Sequence, residues 1–272
     1  MHPGDEKKFK SIINLVHKVT GFDARGYRES TLKRRLGRRL LATKSKNYKE
    51  YLAFLKKNPS ECHSFLDALS INVTDFFRDK TVFLTLKRKI LPSMIEKLLS
   101  EQRKRMRIWS IACSGGQEPY SLAMTLNEII ENQRKGLKFI IFATDLNEAV
   151  LKKTRTARYT KKEIKNVPKI YINKYFAKSD KNEFEIKENI RKLIKVRKHD
   201  LIDGKMEGKF HLILCRNLLI FLTPGLQSEV LKKMHASLKK EGILVLGTAE
   251  TPKNENLFRC LSPQDHIYQK MA

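Results

Sequence analysis

The chain has 272 residues, 41% hydrophobic and 31% charged, which supports a buried core and excludes a disordered or fibrous protein. Lys and Arg number 56 against 29 Asp and Glu, a formal net charge of +27, and such an excess calls for nucleic acid, an anionic membrane surface or an acidic protein as partner. The longest apolar run, HLILCRNLLIFL, is broken by Arg216 and Asn217, and the opening MHPGDEKKFK lacks an apolar core. Neither a leader nor membrane insertion is expected, and the chain reads as cytoplasmic. Its four cysteines have no close pairing of the zinc or redox kind, so no metal is expected.

Residues 1–80 read as a small, basic, all-helical domain. Phe9, Ile12, Ile13 and Val16 keep helical spacing, and Gly21 is placed to stop that helix. In RESTLKRRLGRRLL the leucines Leu32, Leu36 and Leu40 recur every fourth residue as an apolar stripe, and Arg34, Arg35, Arg38 and Arg39 are expected on the other faces. Asn58, Pro59 and Glu61 look like a cap, a first-turn proline and a third-position acid for the helix carrying Phe65, Leu66 and Leu69. Residues 81–105 read as a linker helix.

From residue 106 to 272 apolar runs alternate with helical stretches. RIWSIA, KFIIFATD, LIKVRKHD, FHLILCRN and GILVLGTAE are strand candidates, several apolar on both faces, as a sheet covered on both sides requires. This predicts a doubly wound, Rossmann-like α/β domain. The roughly forty residues between the second and third runs show no clear crossover helix; around 160–195 a small β insertion is expected.

In such sheets ligands bind beyond the carboxyl ends of the strands, and the turn after the first strand is the usual contact. Here the turn holds Gly115 and Gly116 and then places Glu118 at the mouth of the next helix. A carboxylate there repels phosphates, which a dinucleotide site has to bind at that helix start. It suits the sulfonium and ammonium of S-adenosylmethionine instead. Asp145, closing FATD, stands where nucleotide-binding α/β domains place an acid for the ribose hydroxyls. Each acid has a plain structural use, Glu118 on the helix dipole and Asp145 as a cap; together they point to a nucleoside.

The segments INVTDFFRD (71–79), WSIACSGGQEPYSLAM (109–124), ATDLNEAVL (143–151), CRNLLIF (215–221) and LVLGTAE (244–250) resemble, in order and spacing, those of the CheR family of chemoreceptor glutamate methyltransferases. The resemblance covers essentially the whole chain. It implies transfer of a methyl group from S-adenosylmethionine to glutamates on the cytoplasmic helices of methyl-accepting chemoreceptors, leaving S-adenosylhomocysteine. It also implies cofactor contacts from Asn72, Thr74 and Arg78, with Arg78 close to the transferring methyl as the catalytic residue. Glu118 falls on the methionyl part, Asp145 on the ribose, Asp200 and Leu201 beside the adenine, and Arg216 and Asn217 along the pocket. Arg34, Arg35, Arg38 and Arg39 become a docking face for an acidic receptor helix.

The sequence departs from the family pattern at three places. Gln117 replaces a usual Glu, Asp200 a common Asn, and Phe221 a frequent Tyr whose hydroxyl lies near the reaction centre. Two other readings share the cofactor fold. A nucleic-acid methyltransferase explains the charge through phosphate neutralisation, but CRNLLIF lacks a Pro-Pro-aromatic turn and the basic helix has no interleaved aromatics, so no nucleic acid is expected. A non-catalytic binder of the cofactor is the third.

Overall fold

The computed structural model describes residues 3–24, 26–69, 74–132, 136–179, 182–202, 204, 208–252 and 256–272. The chain divides into two compact units, one of residues 1–71 with 221–227, the other of 72–220 with 228–272. Among the described residues no helix is long and apolar enough to cross a membrane.

The first unit holds the helices Pro3–Thr20, Glu29–Ala42, Tyr48–Lys57 and Ser60–Leu69. Phe9, Ile12, Ile13 and Val16 are buried as their spacing predicts, and Gly21 ends the helix at φ +75° with its N–H on the His17 carbonyl at 2.8 Å. In Glu29–Ala42 the buried residues are Thr31, Leu32, Arg35 and Leu36, which corrects the expected stripe. A helix turns about 100° per residue, so leucines every fourth residue drift, leaving Leu40 about 80° from Leu32, whereas Arg35 and Arg39 lie about 60° and 20° to its other side. Arg35 is therefore buried with its Nε unpartnered. Arg34 and Arg38 are exposed.

Arg39 is committed inside the unit. Its Nε and Nη2 donate to the Glu61 carboxylate at 2.8 and 2.7 Å, and the Tyr51 hydroxyl donates to the same group at 2.8 Å. Burial pushes the Tyr51 hydroxyl up, which keeps it a donor. Glu61 thus serves the core rather than the start of its own helix. Asn58, expected as the cap of that helix, instead donates its side-chain amide to the Phe54 carbonyl at the end of the preceding one. The returning segment 221–227 is held by N–H bonds from Arg28 to the Phe221 carbonyl and from Thr223 to the Gly26 carbonyl, both 2.8 Å. Gly26 is glycine for contact: a Cβ there meets Leu226 at 2.1 Å.

In the second unit the strands are β1 Arg105–Ile111, β2 Lys138–Asp145, β3 Arg158–Thr160, β4 Phe176–Lys178, β5 Glu183–Ile186, β6 Ile194–Lys198, β7 Phe210–Cys215, β8 Leu238–Leu246, β9 Phe258–Ser262 and β10 Ile267–Lys270. The main sheet runs β6-β2-β1-β7-β8-β10-β9. Its first five strands are parallel; β10 is antiparallel to β8 and β9. All six residues of β7 are buried, as a central strand covered on both faces demands. β3, β5 and β4 form a separate antiparallel sheet.

Residues 80–100 are helical, as Lys80–Thr85, a π turn Leu86–Ile90 and Leu91–Ser100. The π turn leads into Pro92, whose missing N–H breaks the ordinary ladder. Val82, Phe83, Leu86, Leu91, Ile95 and Leu98 enter the same core as the sheet residues Met106, Ile108, Ile141 and Leu212. A helix Glu148–Thr156 does follow β2, where the sequence shows no clear crossover helix; it is nine residues long, too short for a clear period, and is started by Asn147, whose side chain accepts the Ala149 N–H at 2.8 Å.

Replacing Arg39 by Met should leave a buried carboxylate short of its cation and cost about 3 kcal/mol. Arg38→Met, on an exposed position, should stay within about 0.5 kcal/mol. Urea unfolding of both variants measures the difference; equal stabilities would remove Arg39 from the core.

Candidate functional site

The site lies at the carboxyl ends of β6, β2, β1 and β7. The turn after β1 is tightly wound: Ala112, Ser114 and Gly116 have φ of 52°, 49° and 88°. It is pinned by the Tyr159 hydroxyl on the Gly115 carbonyl at 2.7 Å and the Thr154 hydroxyl on the Ser114 carbonyl at 2.9 Å. A Cβ on Gly116 meets Thr154 at 2.8 Å and the Tyr159 hydroxyl at 2.9 Å, so only glycine fits.

That turn delivers Glu118 to the second position of the helix Gln117–Asn132. One carboxylate oxygen accepts from the Ser110 hydroxyl at 2.8 Å, and the other faces Arg216 Nη1 at 3.3 Å. Arg216, only 2% exposed in its side chain, also donates through Nη2 to Asp79 at 2.5 Å and to the Arg78 carbonyl at 3.0 Å. One guanidinium therefore ties the segment before the first helix of this unit to the acid at the end of β1. Burial pushes the Glu118 carboxyl up, against the pull of Arg216, the Ser110 hydroxyl and, more weakly, Arg78.

Asp145 ends β2. Its two oxygens accept the N–H groups of Asn147 and Ser114, each at 2.9 Å, which leaves a further lone pair on each for a vicinal diol. Burial pushes this carboxyl up as well, against those backbone donors. At the end of β6 the His199 N–H bonds the Asp145 carbonyl at 3.0 Å, which carries Asp200 and Leu201, both half-buried, to the same end of the sheet. Asp200 Oδ1 accepts the Ile202 N–H at 2.8 Å. One oxygen thus shapes the turn.

Among the other expected residues, Asn217 follows Arg216 in the left-handed region at φ 62°. Thr74 is half-buried just before Phe76 and Phe77, which anchor the segment: Phe76 meets Tyr159 and Phe176, and the Phe77 N–H bonds the Ser121 hydroxyl at 2.9 Å. Asn72 lies outside the described residues. Phe221 ends the short turn Leu219–Phe221 and groups with the helical unit. Gln117 is buried with its side-chain oxygen unpartnered.

The sequence reading missed Ser110 and Asp79. Ser110 reads as one more residue of a strand, and Asp79 as a helix cap, although its side chain caps nothing and turns to Arg216.

Comparison with known proteins gives the same assignment to both units. Residues 72–267 match the family described as CheR methyltransferase, SAM binding domain, and residues 7–70 match CheR methyltransferase, all-alpha domain. The chain belongs to the CheR methyltransferase family. It is 35% identical over 251 residues to a chemotaxis protein methyltransferase of Borreliella burgdorferi, covering 90% of this chain and 89% of that one. To its counterpart in Listeria monocytogenes it is 32% identical over 250 residues, covering 92% of each.

As a member of the CheR family the protein is an S-adenosylmethionine-dependent methyltransferase. The residues at the strand ends fit that cofactor. Glu118 and Asp145 offer acceptors to an ammonium and a diol, and the Ser114 hydroxyl and Arg216 Nε are buried without partners among the described residues. The raised carboxyls give opposite signs to folding and binding. The apo protein takes up protons at Glu118 and Asp145 before the unfolded chain does, so this pair favours folding as pH falls, while receiving an ammonium needs Glu118 ionised and a carboxylate at Asp145 is the better acceptor for a diol.

Affinity for S-adenosylmethionine should accordingly fall as pH is lowered from about 7 to about 5. Glu118→Gln should bind at least about tenfold more weakly at neutral pH and show a shallower pH dependence. Calorimetric titration across this range tests both. A flat wild-type profile would contradict the role given to the two carboxyls.

Proposed function

We propose that the protein is a cytoplasmic protein-glutamate O-methyltransferase acting on acidic helices of methyl-accepting chemoreceptors. The observation that carries this reading is the buried Glu118 carboxylate, held between Ser110 and Arg216 at the end of β1. Membership of a family whose relatives are named chemotaxis protein methyltransferases supports the acceptor class. Bound S-adenosylmethionine supplies an electrophilic methyl on a sulfonium.

In this proposal Glu118 receives the ammonium of the methionyl part and Asp145 the ribose, while Thr74, Asp200, Leu201 and Asn217 complete the pocket; Asn72 is proposed for it from sequence alone. Arg216 keeps Glu118 oriented and, through Asp79 and the Arg78 carbonyl, fixes where Arg78 starts from. Arg78, whose charge already acts on Glu118, holds the cofactor carboxylate and draws in the acceptor carboxylate. A glutamate side chain is ionised near neutral pH, so no general base is required. What the protein contributes is alignment, on the order of 7 to 11 kcal/mol in favourable intramolecular cases.

Arg34 and Arg38 are the exposed cations of their helix, and they provide the electrostatic contact with the acidic receptor helix. Arg35 and Arg39, buried and paired respectively, support that surface from beneath. Arg34→Glu with Arg38→Glu should raise the concentration of receptor fragment needed for half-maximal methylation and leave cofactor affinity near wild type. Added salt should act in the same direction, because exposed charges are screened beyond roughly 8 to 10 Å. Unaltered receptor dependence in the double variant would remove the docking role.

The acceptor is tested by the bond it forms. Methyl-labelled cofactor incubated with a receptor cytoplasmic fragment should give label that mild alkali releases as volatile methanol, the behaviour of an ester. Replacing the candidate glutamates of the fragment by alanine should abolish labelling. Alkali-stable label on RNA offered in parallel would overturn the acceptor, and transfer to neither would favour a non-catalytic binder.

A further inference from the structure

LVLGTAE ends in Glu250, which the site described above does not use. This residue is 3% exposed, and no cation pairs with its carboxylate among the described residues. Its charge is met by backbone amides. One oxygen accepts the N–H of Asn217 at 2.8 Å and of Gly247 at 2.7 Å, and the other accepts the N–H of Ile220 at 3.3 Å. Glu250 itself is fixed by its N–H on the Gly247 carbonyl at 2.9 Å and by His266, whose Nδ1 donates to the Glu250 carbonyl at 2.7 Å.

These bonds cross from one strand end to the next. Leu246, last residue of β8, pairs in register with Cys215, last residue of β7. Gly247 then lets the two turns touch: a Cβ there lies 2.7 Å from the Asn217 nitrogen and 2.8 Å from both the Asn217 side-chain amide and the Glu250 carboxylate. Asn217 sits in the left-handed region, a conformation that needs its amide satisfied if it is to persist when buried. A carboxylate accepting several N–H groups makes shorter and stronger bonds than a neutral acceptor.

We propose that Glu250 is a positioning residue for the cofactor site. Its carboxylate clamps the turn after β7, and so sets the place of Arg216 and Asn217 and, through Arg216, of Glu118. The inference rests on the reading of Arg216 and Asn217 as cofactor contacts. A lone acid after a strand reads in sequence as a solvated loop residue, whereas here it is buried on backbone amides.

The test uses the full chain and S-adenosylhomocysteine as the titrated ligand, with Glu250→Gln, Glu250→Ala, Asn217→Ala and Glu250→Gln combined with Asn217→Ala. Gln keeps the shape but offers an amide where one set of N–H donors needs an acceptor, so it guards against a variant that fails to fold. Each Glu250 variant should lose about tenfold or more in affinity. The double variant should lose clearly less than the sum of the two single losses, because both changes act in part through one turn. In wild type the amide protons of Asn217 and Gly247 should resonate downfield and move upfield together in Glu250→Gln, with the other strand amides in place. Affinity within about twofold of wild type in the folded Glu250 variants, with Asn217→Ala weakened, overturns the inference. So does full additivity in the double variant. Wild-type affinity in Asn217→Ala is a different failure: it discards the pocket assignment and the inference with it.

Discussion

The interaction on which the rest of the catalytic unit depends is the buried pair of Glu118 and Arg216. A carboxylate at the start of a helix packed on the sheet is costly to bury, and here it is retained by a hydroxyl from β1 and a guanidinium from the turn after β7. Arg216 in turn is almost wholly buried in its side chain, and its Nη2 reaches Asp79 and the Arg78 carbonyl. Removing any one member leaves a charge without its partner, so the arrangement is specific even if its net contribution to stability is small. The pull of Arg216 does not cancel the burial of Glu118, whose carboxyl stays raised. Such a group gains by meeting a second cation, the part proposed for the ammonium of the cofactor.

The fold was legible where periodicity was long. Apolar runs mark β1, β2, β7 and β8, because strands covered on both faces leave near-continuous apolar signals, while β6, an edge strand, shows only Ile194 and Val196 alternating with basic residues. β9 and β10 escaped: FRCLS and IYQK are only five and four residues long and carry no period-2 alternation. The helix Glu148–Thr156 was hidden by its brevity, although Asn147 announces its start. In the amino-terminal unit the leucine spacing located a helix correctly and misassigned its faces. An arginine with a buried stem reads in sequence as a surface residue, and the identity of its partner, Glu61, is a matter of tertiary contact.

The candidate site was legible in its acids and hardly at all in its supports. Glu118 and Asp145 were found because one opens the helix after a strand of predictable position and the other ends such a strand. Ser110, Asp79 and Glu250 act through contacts with residues distant in the chain, and no local pattern carries that information. Sequence separation also hides the division of the basic helix, in which Arg34 and Arg38 face solvent while Arg35 and Arg39 do not. The surface available to an acidic partner is thus half of what the arginine count suggests.

The central claim is that Glu118, steadied by Arg216, is the acceptor for the cofactor's ammonium. A crystal structure of the protein with S-adenosylhomocysteine tests it most directly. The account predicts the amino group of the ligand within hydrogen-bond distance of Glu118, the ribose hydroxyls on Asp145, and Arg216 still bridging Glu118 and Asp79. A ligand bound with Glu118 turned away from its amino group, or with Arg216 released from both acids, would contradict it.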